Sequence, residues 1–339
     1  MTWDSQTGET FHNFITWNDR RAQPLCDHMN KMFQIRCLKG LSKLLSVFAY
    51  RYSVISKLNF TTGMTLTRFL WVLENFPIIR KKQVEGRAKF GTIDTYLVWR
   101  LTGGAVHATD PSNACVSGFF DIFTMKWSDF VIDLFNIPAS MLPIVNDTNA
   151  NYGTTIPELF GSSIPINAVV GDQQAAMFGD CCFNKGDIKC TMGTGTFLDI
   201  NCGTSLATVP DGMYPIIGWK LKNSKAFYLI EGSSYDTGAT ILWAQKIGLF
   251  DDPKFTEEMA KACPDSGDVY FVPSFNGLQA PFNDNQSTAA FIGLNSNTTK
   301  EHLVRAILES LAFRVKQIYE ILDRNYVLNN FRSEIFKHF

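Results

Sequence analysis

The chain has 339 residues, room for about two domains of ordinary size. Hydrophobic residues make up 45% and charged residues 19%, a globular balance, and 31 basic against 32 acidic residues leave a net charge of -1. No dense basic run appears, and a nucleic-acid binder would need a basic face to replace phosphate counterions, so such a partner is not expected.

The opening stretch, Met1-Thr2-Trp3-Asp4-Ser5-Gln6-Thr7-Gly8, is polar and lacks the basic start and apolar core of a signal peptide. Gln6-Thr7-Gly8 predicts a turn and Phe14-Ile15-Thr16-Trp17 a strand, together a β-hairpin. Asn18 or Asp19 is placed to cap a helix starting near Arg20. The stretch richest in apolar residues, Leu41 to Leu58, is broken by Lys43, Arg51 and Lys57; it reads as an amphipathic helix, not a bilayer span. Helices are predicted over Thr65 to Asn75 and Thr92 to Leu101, the second ended by Thr102-Gly103-Gly104, and His107 to Gly118 reads as loop. The mild basic cluster Lys81, Lys82, Arg87 and Lys89 reads as a solvated surface.

Farther along, Ala168-Val169-Val170 predicts a short buried strand ended by Gly171-Asp172, followed by a helix over Gln173 to Phe178. A hairpin follows, with arms Asp187 to Thr191 and Thr196 to Ile200 and the tip Gly193-Thr194-Gly195. Asp236 to Ile247 predicts a helix and Val269 to Val272 a strand. Val304, Ile307, Leu308, Leu311, Val315, Ile318, Tyr319 and Leu322 repeat at helical spacing, which predicts a long helix over about Thr299 to Leu322. The mixture points to an α/β fold, with a domain boundary near Asn184-Lys185-Gly186. The eight cysteines show no C-x-x-C zinc spacing and read as reduced, mostly buried thiols. With no leader and no spanning segment, a cytoplasmic protein without a membrane partner is expected.

Three places carry groups suited to chemistry. Asp172 stands between a strand and a helix, where a carboxylate can accept a proton from a substrate hydroxyl or cap the helix that follows. On position alone, capping is the plainer reading. Gly193-Thr194-Gly195 would let backbone N–H groups approach a phosphate, although a tight hairpin turn needs the same residues. Trp17, in Trp17-Asn18-Asp19-Arg20-Arg21, can wall a polyol pocket or sit in the core.

Taken together and in order, these segments resemble the FGGY carbohydrate kinases, and most of all their glycerol-kinase branch. Gly63-x-Thr65-x-x-Arg68-Phe69-x-Trp71-Val72-x-Glu74-Asn75 is similar to the family's first signature, with Arg68 where lysine is usual. Ala289-x-Phe291-x-Gly293-Leu294, then after seven residues His302-Leu303-x-x-Ala306-Ile307-Leu308-Glu309, fits the second. Between them, Phe90-Gly91-Thr92-Ile93-Asp94-Thr95, Thr109-Asp110-x-x-Asn113-Ala114, Gly171-Asp172-Gln173-Gln174, Gly193-Thr194-Gly195-Thr196-Phe197 and Pro273-Ser274-Phe275-x-Gly277-Leu278-x-Ala280-Pro281 have counterparts in glycerol kinases.

The resemblance covers about Thr2 to Tyr326. It implies two actin-like (ribonuclease H-like) domains around a cleft, here residues 1–183 for substrate and 187–339 for nucleotide, both incomplete. It implies transfer of the ATP γ-phosphoryl group, with Mg²⁺, to a hydroxyl of a small polyol or sugar. Asp172 would be the catalytic base and the candidate Mg²⁺ contact. Trp17, Asp172, Gln173 and Phe197 would line the substrate pocket. Gly193, Thr194, Gly195 and Gly238 would meet the nucleotide. A homo-oligomer is compatible with all of this.

The sequence departs from the pattern in three ways. The family's first Asp-x-Gly-Thr phosphate loop and the Arg-Glu pair that holds glycerol are not found before Trp3. The Gly-Gly adenosine loop is not found after Tyr326. Gly63 stands where glycerol kinases carry a substrate-contacting tyrosine. The expectation is a chain that by itself neither transfers phosphoryl groups nor folds stably. Three readings follow: a piece of a glycerol-type kinase, a kinase of a ketopentose or similar sugar, or a catalytically dead interaction protein.

Overall fold

The structure is a computed structural model and describes residues 1–206, 208–284 and 286–328. The chain falls into two compact units, one of Met1–Gly179 with Ile216–Tyr228, the other of Asp180–Pro215 with the chain from Leu229 onward. The division at Gly179 lies just before the Asn184-Lys185-Gly186 turn that the sequence suggests as a boundary. The expected adenosine-loop region beyond Leu328 lies outside the described residues.

In the first unit the strand β1 (Thr2–Asp4) is followed by helices α1 (Gln23–Lys31), α2 (Phe33–Leu45), α3 (Tyr50–Ser56), α4 (Thr65–Asn75) and α5 (Pro77–Val84). Then come β2 (Ala88–Phe90), α6 (Ile93–Leu101), β3 (Ala108–Thr109), α7 (Pro111–Cys115), β4 (Phe120–Asp121), β5 (Lys126–Trp127), α8 (Asp129–Leu134), β6 (Ile144–Val145), α9 (Pro157–Phe160) and α10 (Asp172–Gly179). β1 pairs antiparallel with β2 in the register Thr2↔Phe90, and β3 pairs in parallel with β6.

The helices follow their apolar spacing. In α4, Leu66, Phe69, Leu70, Val72 and Leu73 are buried, and the Thr67 hydroxyl is spent on the carbonyls of Thr61 and Met64. This face joins Met29, Ile35, Phe60, Ile79, Phe90 and Phe119 in one core, with Phe69 and Phe90 stacked at 4.0 Å. Trp3 is fully buried against Tyr96, Trp99 and His107, at 5.1, 5.7 and 5.5 Å between rings.

Several expectations need correction. Phe14 to Trp17 is not a strand: β1 takes its ladder partner from Ala88–Phe90, leaving only the Trp3↔Thr10 bridge near the expected hairpin. The first helix begins at Gln23, with Pro24 in its first turn, because Asp19 turns back to pair with Arg21 instead of capping. Leu41 to Leu58 is not one helix; the chain leaves α2 after Leu45 and restarts at Tyr50. The His107 to Gly118 stretch holds β3 and α7, the latter capped by the Asp110 side chain. Ala168 to Val170 forms no strand: Val169 N–H reaches Thr148 O at 3.0 Å, but no ladder follows. All eight cysteines are free, and half of them, Cys26, Cys182, Cys202 and Cys263, are buried.

The remaining elements are β7 (Ile188–Met192), β8 (Thr196–Gly203), β9 (Tyr214–Trp219), β10 (Phe227–Ser234), α11 (Gly238–Lys246), α12 (Thr256–Lys261), β11 (Tyr270–Val272), β12 (Ala290–Ile292) and α13 (Lys300–Asn325). β7 to β10 make one sheet in the order β7-β8-β10-β9, and β11 pairs with β12. β7 and β8 form the predicted hairpin, closing at Met192↔Thr196 around the glycine tip. In α13, Val304, Ile307, Leu311, Val315, Ile318 and Leu322 are buried, as their spacing requires, and Thr299 with His302 closes a capping box.

Candidate active site

In the first unit, Asp172 is the first residue of α10 and is exposed. Its carboxylate accepts the Gln173 N–H at 2.9 Å, so it does part of a capping residue's work while staying open to solvent. The residue before it is firmly tied. Gly171 N–H donates to Ser112 Oγ at 2.8 Å, and Gly171 O accepts from Ala175 N–H at 2.8 Å.

Behind Gly171 lies a buried acid. Asp110 is fully buried and accepts from Ser112 Oγ at 2.7 and 2.9 Å, Thr148 Oγ1 at 2.8 Å, and the Asn113 backbone N–H and Nδ2 at 3.0 and 2.9 Å. A buried carboxylate stays tolerable only with such a set of donors. Ser112 thus links Asp110 to the backbone that carries Asp172. A half-buried acid, Asp94, accepts from Thr109 Oγ1 at 2.6 Å and from Thr92 Oγ1. Burial pushes its carboxyl above the usual range, against the pull of those hydroxyls.

Trp17 lies in the loop before α1 and is 36% exposed. That loop is held by α4: Arg68 Nη1 donates to Ile15 O at 3.4 Å and Arg68 Nη2 to Gly63 O at 3.2 Å, while the Arg21 guanidinium lies over the Trp71 ring. The arginine that replaces the usual lysine therefore joins the Trp17 loop to Gly63. Gln173 is half-buried beside Asp172 on α10.

In the second unit, Gly193-Thr194-Gly195 is the tip of the β7–β8 hairpin, and Gly193 N–H donates to Gly195 O at 2.8 Å. The start of α11 packs directly on it. Thr237 N–H and Ala239 N–H donate to Thr194 O at 3.2 and 3.3 Å, and Gly238 N–H to Gly193 O at 3.0 Å. These bonds satisfy donors that a helix N-terminus otherwise leaves open.

The glycines differ sharply. A β-carbon on Gly238 would lie 2.6 Å from Gly193 O, and one on Gly195 2.9 Å from Ser234 O; one on Gly193 would meet nothing within 4 Å. Gly238 and Gly195 are required by packing, whereas Gly193 borders open space beside the exposed Thr194. Phe197 follows on β8 at 6.5 Å from the Tyr235 ring.

The tip is supported from below. Thr196 and Thr237 hydroxyls meet at 2.7 Å, and the fully buried Asp236 accepts from Asn276 N–H at 2.9 Å and Nδ2 at 2.6 Å. Gln279 accepts the Tyr235 N–H at 2.8 Å, and Arg314 of α13 donates to Ala280 O at 2.6 Å. Asp110, Ser112, Asp236 and Asn276 were not singled out from sequence. Their signal was present, because Asp110 and Ser112 lie in the Thr109-to-Ala114 segment and Asn276 in the Pro273-to-Pro281 segment, but neither segment reveals its partner.

The sequence profile of the FGGY family of carbohydrate kinases, N-terminal domain, matches residues 1–179, and that of its C-terminal domain matches residues 188–330. The chain belongs to the FGGY family of carbohydrate kinases. Glycerol kinase 5 of Mus musculus is 49% identical over 326 residues, covering 96% of this chain and 61% of its own length. Glycerol kinase 2 of Thermotoga maritima is 39% identical, covering 96% of this chain and 63% of its own. Among solved structures, Plasmodium falciparum glycerol kinase with ADP aligns at a TM-score of 0.78 and 32% identity, over 96% of this chain and 63% of that one. A xylulose kinase from Lactobacillus acidophilus, at 20% identity and a TM-score of 0.68, shares the fold. This FGGY chain therefore spans about three fifths of the length of the relatives it matches.

A nucleotide phosphate fits the hairpin tip, where the open side of Gly193 and the exposed Thr194 offer close backbone approach and a hydroxyl. For Mg²⁺ the fit is narrower. Among the described residues, no three His, Cys, Asp or Glu side chains converge on a metal position. Asp172 would supply a single carboxylate, as suits an ion that arrives with substrate phosphates.

Proposed function

We propose that this chain carries the acceptor-side base and a phosphate-binding turn of an ATP-dependent kinase that phosphorylates a hydroxyl of a small polyol or sugar, with glycerol, giving glycerol 3-phosphate, as the leading acceptor. The observation that carries this reading is Asp172: an exposed carboxylate at the start of α10, on backbone anchored through Ser112 to a buried acid. A general base must be reachable by substrate and fixed in direction, and this arrangement supplies both.

In the proposed reaction Asp172 takes the proton of the attacking hydroxyl. Trp17 and Gln173 would shape the acceptor side on the first unit, and Gly193, Thr194, Gly195 and Gly238 would form the nucleotide side on the second. ATP would supply the γ-phosphoryl group, with Mg²⁺ on its phosphates. The protein's share of such a transfer is positioning and charge stabilisation. The names of the relatives support glycerol as acceptor.

Gly63 favours a second acceptor class. It offers neither aromatic wall nor hydroxyl where glycerol kinases carry tyrosine, so room is left for a larger substrate such as a ketopentose. The test is a screen of glycerol, dihydroxyacetone, xylulose and ribulose with Mg²⁺–ATP. Preference for glycerol supports the first assignment, and exclusive use of a ketopentose replaces it. No turnover with any of them, in a form as long as the relatives, would leave an interaction protein as the better description.

A further inference from the structure

The segment from α2 to α3 plays no part in the site above, and it presents a run of exposed apolar side chains. Phe33, Cys37, Leu41 and Leu44 are exposed and recur at three- and four-residue spacing along one face of α2, opposite the buried Ile35 and Ser42. The turn that follows adds Val47 and Phe48. Phe33 is 76% exposed, Leu44 74%, Val47 86% and Phe48 83%. Single exposed apolar residues are ordinary, but a continuous stripe of them marks a contact surface.

Charge narrows the partner. No aspartate or glutamate occurs between Asp27 and Glu74, whereas Lys31, Arg36, Lys39, Lys43, Arg51, Lys57 and Arg68 do. Arg51 is neutralised by Asp121 at 3.3 Å. Arg36, Lys39 and Lys43 form a second stripe at helical spacing beside the apolar one, and none of them takes part in an ion pair among the described residues. Phenylalanine and leucine on one face with lysine and arginine along its edge is the pattern of a helix that lies in a membrane interface. A second copy is a poor occupant, since a two-fold pairing of this face would set the basic stripes of both copies close together.

We propose that α2 and the Ser46–Ala49 turn form a docking site for a membrane surface rich in anionic phospholipid headgroups. The apolar side chains would enter the boundary between headgroups and acyl chains while Arg36, Lys39 and Lys43 meet the lipid phosphates and carboxylates. No helix among the described residues is long and apolar enough to cross a membrane, and surface attachment requires none.

The test is sedimentation of the full 339-residue chain with phosphatidylcholine vesicles, plain or with a third of phosphatidylserine. Binding should require phosphatidylserine and weaken with salt. Arg36→Gln with Lys43→Gln should lower the partition coefficient about twenty-fivefold, at roughly fivefold per charge near the surface. Leu44→Glu with Phe48→Glu should abolish binding. All four positions are exposed, so unchanged thermal transitions will show that the variants remain folded. Failure of the parent chain to bind, or binding untouched by both double variants, overturns the proposal. So does a concentration-dependent dimer that Leu44→Glu dissolves, or capture of polyglutamate instead of vesicles by the same residues. A form as long as the relatives that ignores anionic vesicles would mean that the protein covers this face itself, and the proposal would again fail.

Discussion

Around Asp172 the holding is done by side chains: a buried carboxylate, a serine and a threonine reach across sequence to fix one backbone N–H. Around Thr194 it is done by backbone: three N–H groups of one segment close on two carbonyls of another, and glycines make room. The first arrangement presents a charge and must shield it from its own scaffold. The second presents peptide groups and needs close approach. The proton acceptor and the phosphate cradle proposed above would call for different building materials, and the two units differ in that way.

The sharpest way to break this comparison is Asp172→Asn. The amide keeps the shape but cannot take a proton, so in a form as long as the relatives turnover should fall about 10²–10⁴-fold with nucleotide affinity kept. Steady-state kinetics beside nucleotide titration decides it, and near-normal turnover would remove Asp172 as the base.

Acid should single out the first unit. Burial lowers the His107 pKa from 6.5 to about 4, and its Nε2–H donates to Phe90 O at 2.8 Å. The unfolded chain therefore binds a proton that the folded unit refuses between those values. Stability is complete above about pH 6.5 and declines toward pH 4, by about 3 kcal/mol in total. Denaturant titrations across this range should show the loss, and His107→Gln should flatten it.

Two glycine substitutions test the backbone side. Gly238→Ala forces a β-carbon to 2.6 Å from Gly193 O and should cost about 1–3 kcal/mol of stability, read as a lower thermal transition. Gly193→Ala meets open space outside the left-handed region, so stability should change by less than about 0.5 kcal/mol while Mg²⁺–ATP affinity drops. Equal effects from the two would mean that packing and ligand approach are not divided between these glycines.

What the sequence made legible follows the range of the interactions. α4, α6, α13 and the β7–β8 hairpin rest on local spacing, caps and turn residues, and they appear as expected. Phe14 to Trp17 misled because β-propensity does not name a partner, and β1 finds its own in Ala88–Phe90, far along the chain. The break after Leu45 was hidden because apolar residues continue through Val47 and Phe48, outside the helix and in solvent. In the site, Asp172 and the glycine tip were visible as residue types in telling places. The roles of Asp110 toward Gly171 and of Asp236 toward Asn276 were not, because each depends on atoms joined only by folding.

The bonds from the start of α11 to the hairpin tip also make these two pieces a single lever. A displacement of Thr194 would be passed to the helix through these bonds, without an intervening soft loop. The same helix carries Trp243, packed on Phe275 at 4.8 Å and Phe271 at 5.8 Å between ring centres. Its indole emission would report on the turn as the part of a nucleotide-titration signal that Trp243→Phe removes from that of the seven tryptophans.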